Sequence, residues 1–151
     1  MIREAMAADQ SSVQRLYELL CPGEPVDVRS DRIEQLRRDA NNHLFVVVAD
    51  GAVVATAFVT LCLDPMFGLQ PYATVENVVV DATVRGRGIG SQLLEHVERF
   101  CQERNCSKIM LLSNAQRTRA HKFFKTMGYD DTAAKGFKKY FGGHTAARVT
   151  E

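Results

Sequence analysis

Apolar residues recur along the chain with two periods. Val13, Leu16, Tyr17 and Leu20 fall at i, i+3, i+4 and i+7. That is the stripe of an amphipathic helix, with Asp9 as its expected N-cap and Pro22-Gly23 as its stop. A shorter helix is expected after Ser30, with Ile33, Leu36 and Ala40 on one face. "HLFVVVADGAVVATAFVTLCL" then holds two β-rich runs joined by Asp50-Gly51, a strong hairpin signal. Residues 64–71, with two prolines and a glycine, read as a loop, and "YATVENVVV" reads as the next strand.

Helical spacing returns at Leu93, Leu94, Val97, Phe100 and Cys101. It recurs at Ala120, Phe123, Phe124 and Met127, with Gly128 where a C′ glycine belongs. "SKIMLLS" between them is a short buried-type strand and "KGFKKYF" a final one, and the tail from Gly142 is expected to fray. Strand–helix alternation in the second half predicts a mixed α/β sheet with a parallel pair around residues 72–80 and 107–113. No repeat or linker divides the 151 residues, so one domain spanning 1–151 is expected.

Charge narrows the partners. Lys plus Arg (19) nearly cancels Asp plus Glu (18), so nothing in the bulk electrostatics calls for nucleic acid. No apolar run approaches the ~20 residues that span a bilayer. "MIREAMAADQ" lacks the layout of a signal peptide, and a cytoplasmic location is expected. Cysteines 21, 62, 101 and 106 form no C-x-x-C pair and read as buried reduced thiols. The four histidines have no paired-ligand spacing, so no metal site is expected.

The chemistry concentrates in "TVRGRGIGSQLLEHVERF", residues 83–100. A glycine-rich turn running into a helix offers unpaired N–H groups and the positive end of the helix dipole, which together bind phosphate. No Lys-Ser/Thr pair follows, which excludes a P-loop. The spacing Gly86, Gly88, Gly90 puts Ser91 where the Rossmann fingerprint has its third glycine, and Asn114 stands where that design has an acidic residue. A turn that binds nothing remains the plain alternative.

What is left is R-x-x-G-x-G, here Arg85, Gly88 and Gly90, after a strand and before an amphipathic helix. With this motif the chain resembles the GNAT superfamily of N-acetyltransferases, which use acetyl-CoA. The resemblance runs from "IREA" through "YATVENVVVDATVRGRGIGSQLLEHVE" to "LSNAQRTRAHKFFKTMGY". It implies a GNAT fold: a mostly antiparallel central sheet with a splayed parallel pair, flanked by about four helices. It also implies that the CoA pyrophosphate sits over the backbone of Arg85, Gly86, Arg87, Gly88, Ile89, Gly90 and Ser91. The Val78, Val79 and Val80 backbone would pair with the pantetheine amides like an added strand. Phe123 and Asn114 complete the implied cofactor contacts, although Asn114 equally suits a helix N-cap for residues 115–127.

Acetyl transfer needs a neutral amine, a polarised thioester carbonyl and a protonated thiolate. Strand alternation would place Glu76 on one face with Thr74 and Val78. Desolvation there would raise its pKa and suit it to act as the base, against the plain reading of a salt-bridged or exposed edge carboxylate. The resemblance favours the base and assigns the Val78 N–H to the carbonyl. It also exposes a departure. Where many relatives have a tyrosine general acid, this chain has Phe124, leaving solvent, Tyr129 or Tyr140 to protonate the thiolate.

The expected partner is a small-molecule amine, with no nucleic acid or membrane; a homodimer stays open. The acceptor groove implied by the fold offers Glu24, Asp27, Asp31, Asp130 and Asp131 to a cation, and Arg29, Lys135, Lys138 and Lys139 to an anion. The alternative is an acyl-CoA-binding sensor that keeps the fold without the chemistry.

Overall fold

The computed structural model describes residues 1–142. A short strand, β1 (Ile2–Glu4), and a 3₁₀ turn (Ala7–Asp9) lead into α1 (Gln10–Leu20). Asp9 does stand at the N-cap, but its side chain caps nothing in α1. Its carboxylate instead accepts both Arg3 guanidinium nitrogens, at 2.7 and 3.0 Å, and the Met6 N–H at 2.8 Å. A buried carboxylate takes the charged donor when one is in reach, so Asp9 ties β1 to the helix entry. α2 (Ser30–Arg37) buries Ile33 as expected and ends before Ala40, which is exposed.

β2 (Asn42–Ala49) and β3 (Ala52–Cys62) meet at a two-residue turn in which Asp50 and Gly51 have φ of 50° and 77°. Positive φ at both positions is what a twisted hairpin of this length requires. β4 (Tyr72–Val80) follows the 63–71 loop, α3 (Ile89–Glu103) follows the glycines, and β5 (Ile109–Leu111) closes the sheet. The strand order is β1-β2-β3-β4-β5, antiparallel throughout except for the parallel β4–β5 pair.

Five successive β2 residues, His43–Val47, are buried, because both faces of the sheet are covered there. Leu44 and Val46 join Val13, Leu16, Ile33 and Val79 in one buried cluster beneath α1 and α2. Phe45, between them, turns the other way, its ring 5.0 Å from those of His96 and Phe100 in α3. A strand buried on both faces needs a continuous apolar run rather than alternation, and "LFVVV" supplies it.

The chain divides into two compact units, residues 1–112 and 113–151. In the second, α4 (Thr118–Thr126) ends as predicted at Gly128, with φ 93°. The Gly128 N–H bonds Lys125 O and the Tyr129 N–H bonds Phe124 O, both at 3.0 Å, a Schellman end closed by the Phe124–Tyr129 ring contact.

Two further expectations fail here. Residues 135–141 form no strand; Phe137 and Phe141 are exposed, and without a ladder partner the aromatic alternation has no face to bury. Of the cysteines only Cys101 is buried, while Cys21, at the C-terminal end of α1, is exposed. The expected tail lies outside the described residues from position 143 onward. Among the described residues no helix is long and apolar enough to cross a membrane.

Candidate active site

β4 breaks its own alternation. Phe58 pairs with Glu76 and Thr56 with Val79, so β3 advances two residues where β4 advances three. The extra residue is a bulge at Asn77, whose φ of 53° is left-handed. Asparagine is among the few side chains that tolerate that conformation. The bulge corrects the expected face of Glu76: the register gives that face to Val79, with Phe58 and Thr56, and not to Val78. Glu76 is also exposed, so the burial expected to tune it is absent. Pairing with β5 stops one residue earlier, at Val75–Leu111, while β4 runs on to Val80. The parallel strands therefore part company at Glu76.

After β4, Asp81 organises the turn into the glycines. Its carboxylate accepts the Thr83 N–H at 3.0 Å and the Thr83 hydroxyl at 2.9 Å, and it pairs with the Arg15 guanidinium of α1. The Thr83 N–H first, then Arg15 and the Thr83 hydroxyl, hold its pKa down at about 2. Because 3.8 is its ordinary value, the stabilisation is whole above that pH and is lost as pH falls toward 2. Asp81→Asn should flatten the dependence of melting temperature on pH across that window, followed by circular dichroism.

Arg85 Nε donates to Val80 O at 3.3 Å, returning the loop to the end of β4. Gly86 and Gly88 have φ of 82° and 76°, a conformation that costs other residues roughly 1–2 kcal/mol. A Cβ at either would meet no protein atom within 4 Å. Their space is open rather than filled by the fold, which suits a ligand lying over the backbone. Gly88 is the N-cap of α3 and no side chain caps the helix there, so the first-turn N–H groups face that space without a capping oxygen. Ile89, Gly90 and Ser91 form that first turn.

In the second unit Asn114 is not the N-cap of α4; Arg117 is. The Asn114 side chain accepts the Gln116 N–H at 3.0 Å and its carbonyl accepts His121 Nε2 at 2.9 Å, so it shapes the turn before the helix. Phe123 is half-buried, its ring tilted by 51° at 5.5 Å from that of Phe124, which is buried. Lys125 pairs with Asp131 at 2.9 Å.

The sequence profile of the acetyltransferase (GNAT) family matches residues 13–129. The chain belongs to the GNAT acetyltransferase family. It is 24% identical over 119 residues to an aminoglycoside N(6')-acetyltransferase type 1 of Salmonella typhimurium, covering 78% of this chain and 82% of that one. It is 26% identical over 103 residues to a glucosamine 6-phosphate N-acetyltransferase of Arabidopsis thaliana, covering 66% and 69%. A solved structure from Agrobacterium tumefaciens superposes with a TM-score of 0.84 at 27% identity, covering 93% and 99%.

This GNAT chain has a further feature that its motifs do not announce. A cavity of about 580 Å³ is lined by α1, α2, the segment between them, and Leu44, Phe58 and Asn77 of the sheet. Tyr17 and Asn77 both line it, and burial pushes the Tyr17 phenol up to about 12. Asp27, Arg29, Asp31 and Arg32 line it too, bringing together three of the charged residues expected around an acceptor. The one sequence signal for it was Asn77 itself, a polar break in a valine-rich strand.

Proposed function

We propose that this protein transfers an acetyl group from acetyl-CoA to a primary amine of a small molecule, by direct attack within a ternary complex. The observation that carries the reading is the joint geometry of β4 and its loop. The bulge and the loss of the β5 partner at Glu76 open a slot, and an open-faced glycine turn at a helix N-terminus follows nine residues later. The family match spans both compact units, which supports reading them as one functional domain.

Acetyl-CoA supplies the thioester. Arg85 to Ser91 hold its pyrophosphate through backbone N–H groups, with Arg85 and Arg87 adding charge. Val78, Val79 and Val80 hold the pantetheine arm. The Val78 N–H polarises the carbonyl, as the family resemblance implies. Glu76 takes the proton from the amine, directly or through water, as nitrogen attacks the carbonyl carbon. The amide forms, the C–S bond breaks, and the thiolate is protonated from solvent.

Thiol release from acetyl-CoA against a panel of amines tests the reading; stabilisation of the fold by acetyl-CoA without turnover would favour the sensor instead. Phe124 bears on that choice. It is only 6% exposed, so Phe124→Tyr would bury a hydroxyl rather than aim one at a thiolate. The variant should lose about 1–3 kcal/mol of stability with no gain in turnover, read from melting curves and the same assay.

A further inference from the structure

We infer that the cavity takes a primary amine carried on an apolar body, an aralkylamine or alkylamine, in preference to a polyhydroxylated amino sugar. The inference rests on the transferase reading above for the identity of the site, and on the cavity's own chemistry for the ligand. Its walls are Val13, Val28, Ile33, Leu36, Leu44 and Phe58. Val13, Ile33 and Leu44 belong to the buried core cluster, so the floor of the cavity is the apolar core itself.

The backbone groups of the segment between α1 and α2, which a sugar would need, are already engaged. Gln14 donates to Val26 O at 2.9 Å and accepts the Val28 N–H at 2.7 Å. Gln10 donates to Val28 O, and the Val26 N–H bonds Glu24 O, both at 2.8 Å. The lining segment is thus fixed with the backbone of both valines satisfied, and Val28 packs against the core cluster. Each sugar hydroxyl buried without a partner costs on the order of tenfold or more in affinity.

Charge points the same way. Arg29 holds Asp31 through two bonds, at 3.1 and 3.2 Å. The four charged lining residues, Asp27, Arg29, Asp31 and Arg32, sum to zero, so no field favours a polycation or a phosphate. The amine end is placed by register: Glu76 lies directly opposite Phe58 on the same sheet face, a spacing of roughly 5 Å between Cβ atoms. A body packed on Phe58 therefore sets its amine beside Glu76. The volume of about 580 Å³ accommodates a two-ring body.

The test measures kcat/KM for tryptamine, phenethylamine, glucosamine 6-phosphate and kanamycin with saturating acetyl-CoA, and titrates tryptamine into the full chain by calorimetry. Tryptamine or phenethylamine should exceed both sugars at least tenfold. Leu36→Ser, or Val28→Ser if that variant folds poorly, should weaken tryptamine binding about tenfold. Equal or better turnover of either sugar overturns the inference and leaves the transferase reading standing. If no amine is acetylated, the transferase reading falls, and calorimetry decides the cavity alone. Tryptamine binding weakened by the serine variant supports the apolar-amine cavity, and no binding overturns it.

Discussion

Glu76→Gln should lower acetyl transfer at neutral pH by roughly 10²–10⁴-fold while leaving acetyl-CoA affinity unchanged. The variant keeps the shape of the side chain and removes its capacity to accept a proton. Glu76 sits where the parallel strands separate, one residue past the last β4–β5 pair and one before the bulge. The neighbouring carboxylates are tuned against the same role. Asp81 is held at about 2, chiefly by the Thr83 N–H, and Asp31 is held below its ordinary value by the Arg29 guanidinium. A carboxylate so stabilised as an anion is a poor base. Because Glu76 is exposed, a water can relay the proton, and the exposed position dispenses with desolvation as part of the mechanism. Raising the pH should return part of the lost rate, since more amine then arrives neutral. Full activity in Glu76→Gln on a good acceptor would move deprotonation to solvent or another residue.

Local signals made most of the fold legible. The Asp50-Gly51 hairpin, the stripe of α3 and the Gly128 stop each depend on neighbours in sequence, and each formed where the pattern put it. The parallel β4–β5 pair was legible too, because alternation of strand and helix constrains it. Glu76 was misplaced because strand periodicity carries no warning of an inserted residue; Asn77 could have given one, as a residue at home in left-handed backbone. At Asp9 the N-cap position was legible but the partner of its carboxylate was not, because N-cap preference is a local rule and Arg3 reaches Asp9 from β1, which pairs with β2. The cavity was legible only through its charged residues and Asn77; its apolar interior was not, because Tyr17, Phe58 and Asn77 come from three elements that only the folded sheet brings together.

Valine at Gly88 and valine at Gly90 should both abolish useful CoA binding, at least a hundredfold or about 2.8 kcal/mol, but for separable reasons. Gly88 is left-handed at 76°, where a β-branched residue is a true outlier. Gly88→Val must therefore either strain the loop or rotate it out of shape, and its melting temperature should fall along with its affinity. Gly90 lies inside α3, where helical backbone accepts any side chain and glycine is the poorer helix former. Gly90→Val should melt at the same temperature as wild type or slightly above it, yet lose CoA because its side chain fills the approach to the first-turn N–H groups. Calorimetric titration of CoA, run beside thermal melts of both variants, separates the two effects. Unchanged affinity in a fully folded Gly90→Val would mean that the pyrophosphate does not lie over this turn, and the glycines would then serve only the entry into α3.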